Sequence, residues 1–514
     1  MFTKNNPAAA MFGISVVIIL IALDQTIVGT ALPRIVSELQ GFGLYPWVAA
    51  AYLLTNATFI PVIGRLGDLK GRKPFLLAAI VIFTSSSALC GLANNMLELV
   101  LARALQGAGG GMLVGSAFAS VPDLFPDMKE RVKWQIMMSS AFGIASALGP
   151  ALGGWMTEHF GWRSVFYVNL PIGLIALMFV WTHLPHVVHQ NSRSPKGMDW
   201  WGVIFLVFAI SSILATSEFG ESLGFFSWIF WGLVVACVFF GYIFIKHQQR
   251  SEAPIVPAHL FDSKPVRIMT ILAGLTGFIM FVLIFYAPLL LQAGFSLSTP
   301  DAGLLVTPIL VMITVGSIVN GRLITRVKKP QRLFTFGILF LMLGIFLVTL
   351  IKPSDPAYYL VLIFSLCGFS LGFQIPNLIV QIQALVAKAD LGASSALVQT
   401  LRTLGGMFGA SIGGVIVNYK FQEGVNTELS QAGITDPRVL KLFETPQILV
   451  RSLDQQSLSD LAAQLGFSAP DLIAHTRVLL IDGVHNALYF CVVLAFISFW
   501  VSLKLPNLND IKKM

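Results

Sequence analysis

The chain has 514 residues, of which 56% are apolar and only 11% charged. A soluble domain carries about 25% charged residues, so composition argues against a soluble enzyme, a nucleic-acid-binding module or a disulfide-stapled secreted domain. The net charge of +8, from 33 basic and 25 acidic residues, reads as topology once its distribution is followed.

Apolar runs predict fourteen helical spans, numbered here 1–14, at 9–36, 47–66, 75–93, 97–122, 134–157, 164–183, 199–216, 227–246, 267–292, 301–322, 332–351, 358–386, 394–419 and 478–503. Each approaches the roughly 20 residues needed to cross a bilayer. The first run is too long for a signal-peptide core and is read as a retained span. Within it Asp24 is the one ionisable residue between Lys4 and Arg34. An acid at that depth is costly when ionised and is functional by default. After span 2, the segment Gly64-Arg65-Leu66-Gly67-Asp68-Leu69-Lys70-Gly71-Arg72-Lys73-Pro74 puts one acid and four bases into a tight glycine-rich turn. Span 4 carries Arg103, in the same half of the membrane as Asp24 and its best charge partner. A change in their separation changes the acid's hold on a proton, which is what a proton carrier coupled to a conformational change requires. Span 5 carries Gly149-Pro150-Ala151-Leu152-Gly153-Gly154, where proline removes a helix bond and the glycines admit close packing.

Longer connections at 184–198 and 247–266 flank spans 7 and 8, which look inserted between two six-helix halves. The chain is therefore expected to divide into 1–183, a linker with two spans at 184–266, and 267–514. In span 13, Arg402 has no acid at its own depth and is read as an anion or carbonyl ligand, or as a side chain reaching for the interface. Gln106, Gln374, Asn377, Gln381 and Arg402 join Asp24 as candidate cavity residues. Residues 420–477 form a polar loop in which Leu458, Leu461 and Leu465 recur at helical spacing; both a small cap and a surface insertion fit it. The four cysteines lie in apolar runs with no CxxC pair and no metal-ligand spacing, so no disulfide, metal or cofactor is expected.

The halves echo each other. Gly321-Arg322-Leu323 and Lys329-Pro330 follow Gly64-Arg65-Leu66 and Lys73-Pro74, and Gly409-Ala410-Ser411-Ile412-Gly413-Gly414 follows the Gly149 segment, each about 260 residues on. Twenty-three of the 33 basic residues fall on the side that carries the N terminus, among them Lys4, Arg193, Lys196, Lys388, Lys512 and Lys513. Eight, including Arg451, fall opposite. The positive-inside rule then makes both termini cytoplasmic.

These motifs resemble the major facilitator superfamily, and within it the fourteen-helix drug:proton antiporters. The Gly64–Lys73 segment is similar to the family's loop between helices 2 and 3, and Leu101-Ala102-Arg103-Ala104-Leu105-Gln106-Gly107-Ala108-Gly109 to its helix 4 motif. Gly143 with Gly149-Pro150 and Gly153-Gly154 is similar to the helix 5 antiporter motif. Leu23-Asp24-Gln25-Thr26-Ile27-Val28-Gly29-Thr30-Ala31-Leu32-Pro33 resembles the helix 1 signature of that branch, with Gly29 where asparagine is common. Trp162-Arg163, Phe166 and Asn169-Leu170-Pro171-Ile172-Gly173 resemble its helix 6. The second-half loop, Gly321 to Pro330, lacks an acid equivalent to Asp68.

The resemblance implies an all-α polytopic fold of two six-helix bundles plus two inserted helices. It implies a proton-coupling role for Asp24 with Arg103, and a nearby polar role for Gln106. Gly64, Arg65, Gly67, Asp68, Gly71 and Arg72 would form an inner latch, and Gly149, Pro150, Gly153 and Gly154 a bend at the interface between bundles. The expected function is proton-driven efflux of hydrophobic or cationic compounds by a monomer in the cell membrane, the inner one in a Gram-negative organism. A second reading keeps the fold and exports or flips a lipid, siderophore or peptide-like metabolite, handed to an extracytoplasmic adaptor through 420–477. No phosphate-binding GxxxxGK[ST] loop is present, so the energy source is expected to be an ion gradient.

Overall fold

In the computed structural model, residues 6–506 are described apart from 40–43, 126, 188–196, 224–226, 325, 328, 388–389, 444–445 and 450–451. Of the orientation census, Lys4, Arg193, Lys196, Lys328, Lys388, Arg451, Lys512 and Lys513 lie outside the described residues. The first half comprises α1 (Pro7–Leu39), α2 (Tyr45–Lys70), α3 (Lys73–Leu92), α4 (Met96–Leu124), α5 (Met128–Phe160), α6 (Ser164–Tyr167) and α7 (Asn169–His183). A pair follows, α8 (Trp200–Leu223) and α9 (Trp228–Arg250). The second half begins with α10 (Lys264–Leu289), which runs into a π turn at Leu290–Gly294. It continues with α11 (Thr299–Ile324), α12 (Gln331–Val348), α13 (Ala357–Leu385), α14 (Leu391–Gln431), α15 (Pro437–Leu442), α16 (Ser452–Leu465) and α17 (Ala469–Ser502). Among the described residues thirteen helices are long and apolar enough to cross a membrane, and α8 adds a shorter apolar stretch, Trp200–Thr216. The protein is a multi-pass membrane protein.

Glycine sets the packing inside each half, and the two halves use it alike. Added methyl groups on Gly107 and Gly111 of α4 would meet the Tyr52 and Asn56 carbonyl oxygens of α2; on Gly368 and Gly372 of α13 they would meet the Ile309 and Ile313 carbonyl oxygens of α11. Likewise Gly149 and Gly153 of α5 seat against Thr26, Ile27 and Thr30 of α1, while Gly405 and Gly409 of α14 seat against Gly274 and Phe278 of α10. The sequence echo between the Gly149 and Gly409 segments is therefore one close helix contact built twice.

The halves meet unequally along the membrane normal. At the end that carries both termini, here the terminal side, one apolar cluster joins Met11, Ile14 and Phe118 of the first half to Met269, Leu272, Phe334, Ile382 and Val398 of the second. A second joins Val132 to Ile324, Phe373 and Val380. Toward the opposite, distal side the two large clusters separate, while a small one still joins Ala50 and Ala57 of α2 to Met407 of α14 beside α8. One holds first-half residues only, Ala22 to Phe166, and another second-half residues only, Phe278 to Ala495. In keeping with this, α1 has buried residues on all sides near Ile14 to Ile21 but exposes Gln25, Gly29 and Thr30 beyond Asp24. The structure is closed at the terminal side and, apart from the flank where α2, α8 and α14 meet, parted toward the distal side.

The fold extends past the predicted spans around residues 420–477. Charged and polar residues after Tyr419 end the hydropathy run, yet Val417, Phe421, Val425 and Leu429 keep a four-residue apolar stripe that buries against α17, so α14 continues for 41 residues. That is about 60 Å, twice the hydrocarbon thickness. Between α14 and α17, Val439, Phe443, Ile448, Leu449, Leu458 and Ala462 bury in the second half's own core. The segment is a packed helical cap, not a surface insertion. Leu465 does not join the expected stripe; it is 44% exposed, and Ala462 takes the inward position. Leu458→Asp places an unpaired charge where the side chain is 0% exposed, a change of about 3 kcal/mol or more. Limited proteolysis between residues 432 and 468 should accelerate sharply in Leu458→Asp and stay at the wild-type rate in Leu465→Asp. Equal rates in the two variants would contradict a packed cap.

Candidate functional site

Four helices of the first half converge on Asp24. Its Oδ2 accepts from Arg103 Nη1 at 2.8 Å, and its Oδ1 accepts from Gln106 Nε2 at 2.7 Å and Asn169 Nδ2 at 3.1 Å. Arg103 Nη1 also donates to Gln106 Oε1 at 2.8 Å, its Nε donates to the Val48 carbonyl at 3.3 Å, and its guanidinium lies 4.3 Å from the centre of the Tyr52 ring. A second ring of contacts holds the partners. Asn169 donates to Ser87 Oγ at 3.0 Å, Ser87 donates to the Phe166 carbonyl at 2.8 Å, and Cys90 Sγ lies 3.4 Å from Gln106 Oε1. Asp24, Gln106 and Asn169 are 0% exposed and Arg103 is 3% exposed. All three groups around the carboxylate donate to it. The i, i+3 spacing of Arg103 and Gln106 puts both on the face of α4 that meets α1.

A second charged cluster sits at the terminal side. Arg72 Nη2 donates to Asp68 Oδ1 at 2.7 Å, and Arg72 also pairs with Asp123 at the end of α4. Asp68 reaches across to the other half: Oδ1 accepts from the Gly392 amide at 3.0 Å and Oδ2 from the Ala393 amide at 2.7 Å. Those amides are among the unbonded donors of the first turn of α14, where a helix end favours an anion. The glycines make room: a methyl on Gly64 would collide with Ala396 and one on Gly392 with the Asp68 carboxylate. Gly67 lies over the Arg72 side chain, and Gly71, at φ +82°, turns the chain beneath His186. Arg65 is buried beside the turn. A further link crosses the same seam, Gln383 Nε2 to the Phe118 carbonyl at 3.4 Å, and nearby His259 Nε2, on the 3-10 turn Ala258–Asp262 of the insert, lies 2.9 Å from Asp390 Oδ2 of the second half.

The remaining candidates separate. Gln374 accepts from Thr276 Oγ1 and donates to the Gly337 carbonyl, and Asn377 donates to Asn320 Oδ1 and the Phe373 carbonyl. Both are tied within the second half, and Gln381 is buried nearby on α13. Of the helix 5 residues, Gly149 and Gly153 face α1 of their own half, while Pro150 and Gly154 are exposed; α5 runs through Pro150 unbroken. The glycine of that motif that meets the other half is Gly143, against Leu310 and Thr314 of α11. Arg402 is half-buried, about 16 Å along α14 from Leu391, and no hydrogen bond or ion pair links it to another described residue.

Sequence reasoning missed Asn169, Ser87, Tyr52, Asp123 and the pair His259–Asp390. Asn169 stood inside a quoted motif but carried no charge to single it out. Asp123, at the end of a span, read as an ordinary loop acid.

The model of the Major Facilitator Superfamily matches residues 14–410. The Bacillus subtilis multidrug transporter protein MdtP is 30% identical over 511 residues, covering 96% of this chain and 93% of its own. Multidrug resistance protein 3 of the same organism is 31% identical, covering 82% and 81%. Among solved structures, the human organic anion transporter MFSD10 (TETRAN) superposes with a TM-score of 0.65 over 97% of this chain and 100% of its own, at 14% identity. At that identity the likeness speaks of the fold alone.

Proposed function

This chain belongs to the major facilitator superfamily, and from that premise we propose that it is a drug-efflux transporter driven as a proton antiporter. Two multidrug proteins align with it over most of its length, which supports the efflux reading. The observation that carries proton coupling is the Asp24 network: a single acid, sealed from solvent, that accepts from Arg103, Gln106 and Asn169. A proton on Asp24 cancels the charge that Arg103 needs, so α1 and α4 must repack. That repacking lies where α1 passes from the shared core into the parted region, which makes protonation and opening mutually dependent.

In this reading the terminal side is cytoplasmic, as the basic residues require. The halves, 1–183 and 267–514, rock about the cavity, with 184–266 as an insert along their flank. The latch of Asp68, Arg72 and the α14 amides closes the inner gate. The working unit is one chain, and the proton gradient takes the place of a cofactor. The packed cap supports a second reading, delivery of a lipid, siderophore or peptide-like metabolite to an extracytoplasmic adaptor. On that reading Leu458→Asp exports normally in proteoliposomes and fails only in cells.

The direct test is transport in proteoliposomes. With the lumen made acidic, a dye such as ethidium should accumulate inside the vesicles populated by inverted protein, and a protonophore should abolish the accumulation. Accumulation that survives the protonophore would count against proton coupling.

A further inference from the structure

Asp24 is the acid that suggests cationic cargo, but its charge is spent inside the first half: it is 0% exposed and paired with Arg103. The charge that remains available near mid-membrane is positive. Arg402 stands about 16 Å from the start of α14, near the centre of a hydrocarbon layer about 30 Å thick. It is half-buried and makes no hydrogen bond or ion pair with another described residue. The described acids of the second half, Asp301, Asp355, Asp390, Glu423, Glu428, Asp436, Asp454, Asp460 and Asp471, lie at helix ends, in connections or in the cap, and Asp482, exposed within α17, stands about 30 Å from the terminal-side end of that helix, at the distal edge of the hydrocarbon layer.

The backbone around Arg402 holds it firmly. A methyl on Gly277 of α10 would collide with the Arg402 carbonyl, and Gly405, the next turn, meets Gly274, so α14 cannot rotate to carry the guanidinium elsewhere without breaking this contact. One turn on, Gly406 is covered by the Phe281 ring, itself half-buried, and Gly409 seats on the Phe278 backbone. A guanidinium with five donors and no acceptor, carried near mid-membrane at about the level where the halves part, is costly unless something anionic completes it.

We propose that Arg402 is the recognition site for a negatively charged group on the cargo, so that the preferred substrates are apolar bodies bearing one carboxylate or similar anion. The proposal rests on the efflux reading and deepens it. Export of such an anion against one proton moves two charges in the same sense, so the membrane potential, negative inside, drives it in addition to the pH gradient. Export of a monovalent cation against one proton is electroneutral.

The test uses two fluorescent probes of equal size, 2-naphthoate and 2-naphthamide, binding to the purified full-length protein. Wild type should bind the carboxylate at least about tenfold more tightly than the amide. Arg402→Met should bring the two affinities together, and Arg402→Lys should keep part of the difference. A wild-type protein with no preference overturns the proposal, and so does an Arg402→Met protein that melts like wild type and keeps the preference. Should Arg402→Met fail to fold, the wild-type preference and Arg402→Gln decide in the same way. Proteoliposome export separates the two levels: a carboxylate preference lost in Arg402→Met, without proton-driven export, supports the site and contradicts the antiporter. Proton-driven export of both probes at equal rates, with equal binding, does the reverse.

Discussion

Replacing Asp24 with asparagine reduces proton-driven export to background and destabilises the protein, and replacing Arg103 with glutamine in the same chain restores stability without restoring coupling. The two effects have different causes. Asparagine can still bond Gln106 and Asn169, but it leaves the Arg103 guanidinium, 3% exposed, without a counter-charge. An uncompensated buried charge costs about 3–5 kcal/mol. Glutamine at 103 removes that charge and leaves an amide network that the same neighbours can satisfy. Coupling does not return, because no group at the site then binds and releases a proton. Thermal melts of the purified variants read the first effect and dye uptake under an imposed pH gradient the second. A double variant as unstable as Asp24→Asn would contradict the charge argument, and coupled transport in either variant would remove Asp24 as the carrier.

Breaking the latch shifts the protein away from its closed terminal side. Asp68→Ala removes two charge-assisted bonds to the Gly392 and Ala393 amides and frees Arg72 from one of its two acids. A net loss of about 2 kcal/mol would change the closed-to-open ratio about thirtyfold. Gly392→Val acts on the same contact from the other half, since its side chain collides with the Asp68 carboxylate. The readout is labelling of Ala396→Cys, in the seam against Gly64, by a membrane-impermeant thiol reagent. Both variants should label at least about tenfold faster than the Ala396→Cys parent. Unchanged labelling in both would show that the Asp68 contact does not hold the gate. The pair Asp199–His247 is a useful contrast. It binds α8 to α9, with His247 Nε2 2.8 Å from Asp199 Oδ1 and Gln248 Nε2 donating to Oδ2, but it crosses no seam between the halves. Burial works against the Asp199 charge, yet the Gly202 amide and His247 hold its carboxyl below the usual range. The stability it adds is therefore present above the ordinary carboxylate pKa and lost as pH falls through the lower, folded value.

The all-helical membrane fold was legible because charge is scarce in a bilayer and each span must carry a long apolar run. Asp24 and Arg103 stood out for the same reason: an ionisable group inside such a run is conspicuous. The neutral half of the network was not. Asn169, Ser87 and Tyr52 are unremarkable in composition, and only the convergence of α1, α2, α3, α4 and α7 brings them into the network around the acid. The latch was half visible. Asp68 and Arg72 lie one helical turn apart in sequence, but their partners, Asp123 of α4 and, across the seam, the first amides of α14, are brought there by tertiary packing. Backbone amides carry no sequence signal at all. The cap was hidden by the opposite effect. Lys420, Glu423 and Glu428 end a hydropathy window, although the buried stripe from Val417 to Leu429 continues the helix on its other face.

The most direct test of Asp24 as the proton carrier is to count protons and cargo in the same vesicles. A lumenal pH dye and a radiolabelled substrate are followed together in proteoliposomes, for wild type and for the stable double variant Asp24→Asn/Arg103→Gln. Wild type should exchange a fixed number of protons for each substrate molecule, and the double variant should carry substrate down its own gradient with no accompanying proton flux. An unchanged ratio of protons to substrate in the double variant would contradict it.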